Sequence, residues 1–120
     1  MSEKNYPIDA TLSDVANKKC PILCAMKVIG SKWKLPLIWY LHEKDATRFN
    51  ELMRRIHGIT HIMLTKSLRE MEADGLILRR EIISAPPKVV EYSLTDFGRE
   101  LIPALNELYV WGEKILQKEP

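Results

Sequence analysis

Along most of this chain the hydrophobic positions recur every three or four residues, and only between Gly75 and Leu94 does the spacing fall to two. From Cys20 onward, Ile22, Leu23, Met26 and Ile29 share one helical face, and Gly30 ends the run. A second helix follows Ser31, with Trp33, Leu37, Ile38 and Leu41 on one side. Pro36 is tolerated there because it falls in the first turns, where backbone N–H groups have no helical partner. Phe49, Leu52, Met53 and Ile56 predict a third helix over Thr47–Ile56. His57-Gly58 breaks it, Gly58 being suited to the left-handed conformation that closes helices. Thr60 is a good N-cap for a fourth helix running to about Ala73, which Asp74-Gly75 closes. Two helices joined by a tight glycine-containing turn make a helix-turn-helix unit.

Leu76–Ile83 and Lys88–Leu94 are rich in β-branched and aromatic residues and predict strands. Ser84-Ala85-Pro86-Pro87 between them cannot continue either strand, so the pair reads as a hairpin with a Pro-Pro tip. Thr95 then caps a last helix, Asp96–Gln117, about 33 Å long at the helical rise. Pro103 lies inside it, removes one hydrogen bond and predicts a bend near Arg99. Residues 1–19 read as a polar arm, with a short helix over Thr11–Ala16. The fold class expected is mainly α with a small β-hairpin wing: a winged helix-turn-helix.

Composition narrows the function without naming it. With 46% hydrophobic and 28% charged residues the chain has the balance of an ordinary soluble globular protein. At 120 residues it suits one domain and is short for an enzyme with separate substrate and cofactor domains. No apolar run approaches the ~18 residues that span a bilayer, and the N-terminus lacks the hydrophobic stretch of a secretory signal. A cytoplasmic protein with no membrane contact is expected. The net charge of +2 is unevenly spread. Lys27 to Lys88 holds 12 Lys/Arg against 7 Asp/Glu, a balance of +5, whereas the flanks hold 6 against 9, a balance of −3. A basic centre between acidic ends suits contact with a polyanion; an unevenly charged solvated surface is the other reading.

The fourth helix supplies the chemistry for such contact. Leu64, Leu68 and Met71 fall on one side, and Ile62, Thr65, Lys66 and Arg69 on the other. That second face offers a methyl-contacting side chain, a hydroxyl and two long cations, groups able to meet base edges and phosphates in a major groove. Thr60 and His61 open the same helix, His61 pointing between the two faces. Arg79, Arg80 and Lys88 on the wing are placed for phosphates beside the groove, with Lys32 and Arg48 as further phosphate candidates. The plainer alternative makes Lys66 and Arg69 a solvated helix face.

These segments resemble the HxlR-type (MarR-like) winged-helix transcriptional regulators of bacteria from Cys20 onward. The matching pieces include Cys20-Pro21, Ile29-Gly30-Ser31-Lys32-Trp33-Lys34, Arg48-Phe49-Asn50-Glu51-Leu52 and Gly58-Ile59-Thr60. They continue with Met63-Leu64-Thr65, Leu68 through Leu76, Pro86 through Thr95, and Gly98. Ser31 replaces a glycine common in that motif, and Ile62 sits where a basic or polar residue is frequent, so no operator sequence carries over from relatives. The resemblance implies a homodimer on a pseudo-palindromic operator, one recognition helix and one wing per half-site. It also implies that the first and last helices build the dimer interface. One domain over 1–120 is then expected: an arm at 1–19, a DNA-binding core at 20–95 and a dimerisation helix at 96–118.

The last helix supports pairing independently, because Leu101, Leu105, Leu108 and Ile115 form one stripe with Ile102, Tyr109, Leu116 and Trp111 beside it. So broad an apolar surface exceeds what one small domain covers; closure of the monomer core is the alternative. Cys20 and Cys24 are one turn apart, a spacing poorly suited to a disulfide. Cys20 follows Lys18-Lys19 at a helix N-terminus, where the dipole and two cations favour a reactive thiol. Some members of the resembled family sense oxidants or electrophiles at this place, which makes Cys20 the redox candidate, with a packing cysteine or an unknown small effector as alternatives. His57 and His61 are interrupted by Gly58, so no metal site is expected, nor any cofactor. Met26, Met53, Met63 and Met71 read as core filler. Besides DNA binding, two functions compete: a winged helix used only for protein contacts, and a small enzyme. Neither a nucleophile–base pair nor a phosphate-cradling loop is present to support the last.

Overall fold

The computed structural model describes residues 20–119 of the chain, and the short helix expected over Thr11–Ala16 lies outside them. The chain divides into two compact units at Gly30. In the first, α1 (Pro21–Ile29) starts from an extended Cys20, with Pro21 in the first turn, where its missing N–H costs no hydrogen bond. No residue of α1 is buried, and Ile22 is 70% exposed.

The second unit, from Ser31 on, carries the helix-turn-helix and the wing. It runs α2 (Lys34–Glu43), β1 (Thr47–Arg48), α3 (Phe49–Arg55), α4 (His61–Ala73), β2 (Ile77–Ile83), β3 (Val89–Leu94), α5 (Asp96–Arg99) and α6 (Ile102–Lys118). Leu37, Ile38 and Leu41 of α2, Leu52 of α3, and Leu64, Leu68 and Met71 of α4 are all buried and form a core that excludes water, as the helical spacing predicts. Ile77 and Leu94 from the strands and Ile102 and Leu105 from α6 complete it. Between α3 and α4, Gly58 takes φ of +89°, a conformation side chains resist, and a Cβ there would come within 3.6 Å of the Trp33 ring. No helix among the described residues is long and apolar enough to cross a membrane.

Two elements and the methionines differ from expectation. Thr47 and Arg48 do not begin a helix. Ala46 turns the chain at φ 55°, the buried Thr47 hydroxyl donates to the Lys44 carbonyl at 2.8 Å, and Thr47 pairs with Tyr92. A third strand therefore joins the hairpin in the antiparallel order β1-β3-β2. The final helix is two helices rather than one with a bend. Pro103 stands in the first turn of α6, where no hydrogen bond is lost, and the chain breaks just before it, between Arg99 and Ile102. Among the described methionines only Met71 is fully buried; Met26 and Met63 are 48% and 38% exposed and do not fill the core.

Thr95 and Gly98 lock the wing to the C-terminal helices. The Thr95 hydroxyl accepts from the Gly98 N–H at 2.9 Å and donates to the Gly75 carbonyl at 2.6 Å, while the Thr95 N–H reaches the Leu76 carbonyl at 3.0 Å. Gly98 packs so closely on that same Leu76 carbonyl that a Cβ would collide with its oxygen. Gly98→Ala is therefore expected to cost about 3 kcal/mol, an overpacking penalty against backbone that cannot swing aside. At this chain length that corresponds to a thermal midpoint roughly 10–20 °C lower by circular dichroism. A midpoint within ~2 °C of wild type would mean that α5 shifts freely.

Candidate nucleic-acid interface

α4 carries two opposite faces, one buried and one open to solvent. The Thr60 side chain accepts from the Met63 N–H at 3.1 Å, which caps α4 and fixes where its first turn begins. The inner face is anchored by Leu64 and Met71, wholly buried, and by Leu68 and Ser67. Rotation about the helix axis is thereby set, and Ile62, at 77% exposure, stands out with Lys66 and Arg69, while Thr65 is half-buried. These four residues line one open groove with His61 and Glu70. Neither Lys66 nor Arg69 takes part in a salt bridge among the described residues, so both cations are available to a phosphate or a base edge.

His61, ambiguous in sequence, tilts against the Phe49 ring with centroids 4.8 Å apart. It stands at the edge of a second cleft of about 500 Å³, whose walls include Thr65, Arg69, Glu72, Arg79 and Tyr92. Here the outer face of α4 meets the base of the wing.

Strand register sorts the remaining candidates. Thr47 and Arg79 both pair with Tyr92, and Arg48 and Arg80 both pair with Glu91. Cross-strand partners share a face and neighbours along a strand alternate. Arg79 therefore lies on the side of Tyr92 and the α4 cleft, whereas Arg80 and Arg48 flank Glu91 on the opposite side. The two wing arginines do not act as one patch. Lys88 at the tip and Arg79 both approach Glu81, at 3.6 and 3.7 Å. Lys32 lies over the Trp33 ring, 4.7 Å from its centroid.

Two acids within the site escaped the sequence reading. Glu81 follows Arg79 by two, a spacing that places both on one face of a strand. Glu70 accepts a 2.9 Å salt bridge from Lys34, and that hydrogen bond, then the Lys34 charge, holds its carboxyl below the usual range. Behind the site, Lys44 and Tyr40 converge on Glu51, tying α3 to α2 and lowering the carboxyl's pKa, chiefly through the Lys44 hydrogen bond.

Away from α4, the C-terminal helix presents Leu108, Tyr109, Val110, Trp111, Ile115 and Leu116, all between 43% and 67% exposed. Tyr109 stacks on Trp39 at 5.1 Å, beside a groove floored by Leu35, Leu105 and Leu108. Both cysteines are free thiols, Cys20 buried and Cys24 exposed. No cluster of metal-ligating side chains occurs among the described residues.

A model of the HxlR-like helix-turn-helix family matches residues 28–120. A helix-turn-helix transcriptional regulator of Halalkalibacterium halodurans is 48% identical over 94 residues, covering 78% of this chain and 82% of its own. YybR, a helix-turn-helix transcriptional regulator of Bacillus subtilis, is 47% identical over 116 residues, covering 94% and 84%. Among solved structures, the reduced form of the redox regulator HypR superposes with a TM-score of 0.75 at 41% identity, covering 83% of this chain and all of its own.

Proposed function

Because the chain belongs to the HxlR-like helix-turn-helix family of transcriptional regulators, we propose that it binds a pseudo-palindromic operator as a homodimer, with α4 of each copy in the major groove. One observation carries this reading: α4 buries Leu64, Leu68 and Met71 while holding Ile62, Lys66 and Arg69 out in solvent. A helix fixed on one side and cationic on the other is what groove reading requires. Thr65, Ile62 and Arg69 meet base edges, and Lys66 with the N-terminal residues Thr60 and His61 lies along the strand of phosphates. Arg79 and Lys88 take phosphates beside the groove from the inner side of the wing. Lys32, Arg48 and Arg80 contribute longer-range attraction. The domain expected over 1–120 then divides its labour, the core at 20–95 reading DNA and the C-terminal helices α5 and α6 pairing subunits with the N-terminal helix.

The test is binding of the wild-type protein to duplex DNA from upstream of its own gene across a salt series. Specific binding should exceed that to random duplex by at least about a thousandfold, and its logarithm should fall linearly with the logarithm of salt as phosphate counterions are released. Equal affinity for both duplexes would instead favour a winged helix used for protein contacts.

Regulation is assigned to Cys20, in a small effector's place, on two grounds. The thiol opens α1 at its N-terminal end, and the similar protein HypR is a redox regulator with both oxidised and reduced forms. Diamide treatment is expected to change operator affinity at least about tenfold, 1.4 kcal/mol, in wild type and to leave Cys20→Ser unchanged. Equal responses from the two proteins would remove Cys20 from the switch and return the role to a separate ligand.

A further inference from the structure

Lys34 is the one charged side chain among the described residues that is buried, at 6% exposure. Its position is unfavourable twice over. An ammonium withdrawn from water loses its hydration, and Lys34 is the first residue of α2, whose N-terminal end carries the positive pole of the helix dipole. Stability alone would place an apolar or acidic side chain there. One partner the ammonium gains is Glu70, at 2.9 Å, and Glu70 belongs to α4. The carboxylate is 44% exposed and lines the same groove as Ile62, Thr65, Lys66 and Arg69. A bare negative charge there would stand among the cations meant for DNA and repel the phosphates brought against them.

Resting on the DNA-binding reading above, we propose that Lys34 is a positioning residue for DNA binding. From inside the protein it neutralises Glu70 and holds that carboxylate back against α2, so the reading face of α4 presents net positive charge. The device is one-sided by construction: the ammonium never reaches DNA, yet its loss is felt there through Glu70. Lys66, one turn before Glu70, is the residue freed by it. With Lys34 in place, Lys66 need not pair with the carboxylate and remains available to a phosphate. Lys66 does add to the depression of the Glu70 pKa, but after Lys34.

The test measures affinity for duplex DNA from upstream of the chain's own gene, by fluorescence anisotropy, for wild type, Lys34→Met, Glu70→Gln and the double variant. Thermal melts of all four run alongside. Lys34→Met is expected to weaken binding about tenfold, 1.4 kcal/mol, with a melting temperature close to wild type, since Met fills the same space without a buried charge. Glu70→Gln should bind at least as tightly as wild type. Adding Glu70→Gln to Lys34→Met should restore affinity to within about threefold of wild type, which a purely structural role for Lys34 would not do. If Lys34→Met melts early, the double variant still decides, because it removes the Glu70 charge together with the ammonium that neutralised it. Wild-type affinity in Lys34→Met, or a double variant as weak as the single, overturns the proposal while leaving DNA binding intact. A wild-type protein that does not prefer its own upstream DNA removes the DNA-binding reading, and this inference with it.

Discussion

Replacing Lys66 and Arg69 together by Ala is expected to lower operator affinity by roughly a thousandfold, because each well-placed base or phosphate contact contributes about 1–3 kcal/mol. Folding should hardly change. Both side chains are exposed and make no salt bridge among the described residues, and substitutions of that kind fall within about 0.5 kcal/mol of neutral. Melting temperature and affinity therefore separate cleanly, and gel shifts at several salt concentrations divide the roles further. If Lys66 meets a phosphate, its loss flattens the salt dependence by about one counterion; if Arg69 reads a base, its loss erodes the preference over random duplex. Arg48→Ala/Arg80→Ala provides the contrast. Those two flank Glu91 on the far side of the sheet, and their removal should cost no more than about tenfold, equally on specific and random DNA. The reverse ranking would mean that the sheet, not α4, faces the duplex.

That contrast also marks the boundary of what the sequence discloses. The helix-turn-helix was legible because its signals are local. Thr60 caps within three residues, Gly58 turns in place, and the apolar spacing of α4 marks which side is buried. Wing strands were legible for the same reason, and period two even separates Arg79 from Arg80 once each strand's inner face is known. What the residues alone could not supply was pairing across distance. Thr47–Arg48 looked like a helix start because its partner, Tyr92–Glu91, lies more than forty positions away. Pro103 looked like a kink because nothing local shows that Gly98 must sit against the Leu76 carbonyl, ending α5 before the proline is reached. Lys34 carries no local mark that sets it apart in a basic stretch, and only the approach of α2 to α4 reveals its carboxylate. The outer face of α4 was thus readable as a list of residues, while the charges that set its net sign were not.

The second large effect concerns α6: Trp111→Glu is expected to convert the proposed dimer to a monomer at micromolar concentration. Trp111 is 60% exposed in the single chain, and Leu108, Ile115 and Leu116 are exposed on the same helix. Leaving so much apolar surface in water is unfavourable by about 25 cal/mol for each Å², and the homodimer proposed above would cover it with a second copy. In a two-fold dimer each substitution counts twice. Losing two buried indoles and introducing two carboxylates into an apolar seam should weaken association by about 5 kcal/mol, or several thousandfold. Light scattering would read that directly as a halved mass. DNA binding should fall too, by about a hundredfold or more, although α4 is untouched, because the second half-site is then no longer held at high effective concentration. The two readouts constrain one another. A dimeric mass in Trp111→Glu would place the interface elsewhere. A monomer that kept full operator affinity would show that one recognition helix suffices, and the palindromic operator would lose its physical basis. Only joint loss of mass and affinity fits a reading head whose specificity comes from being used twice.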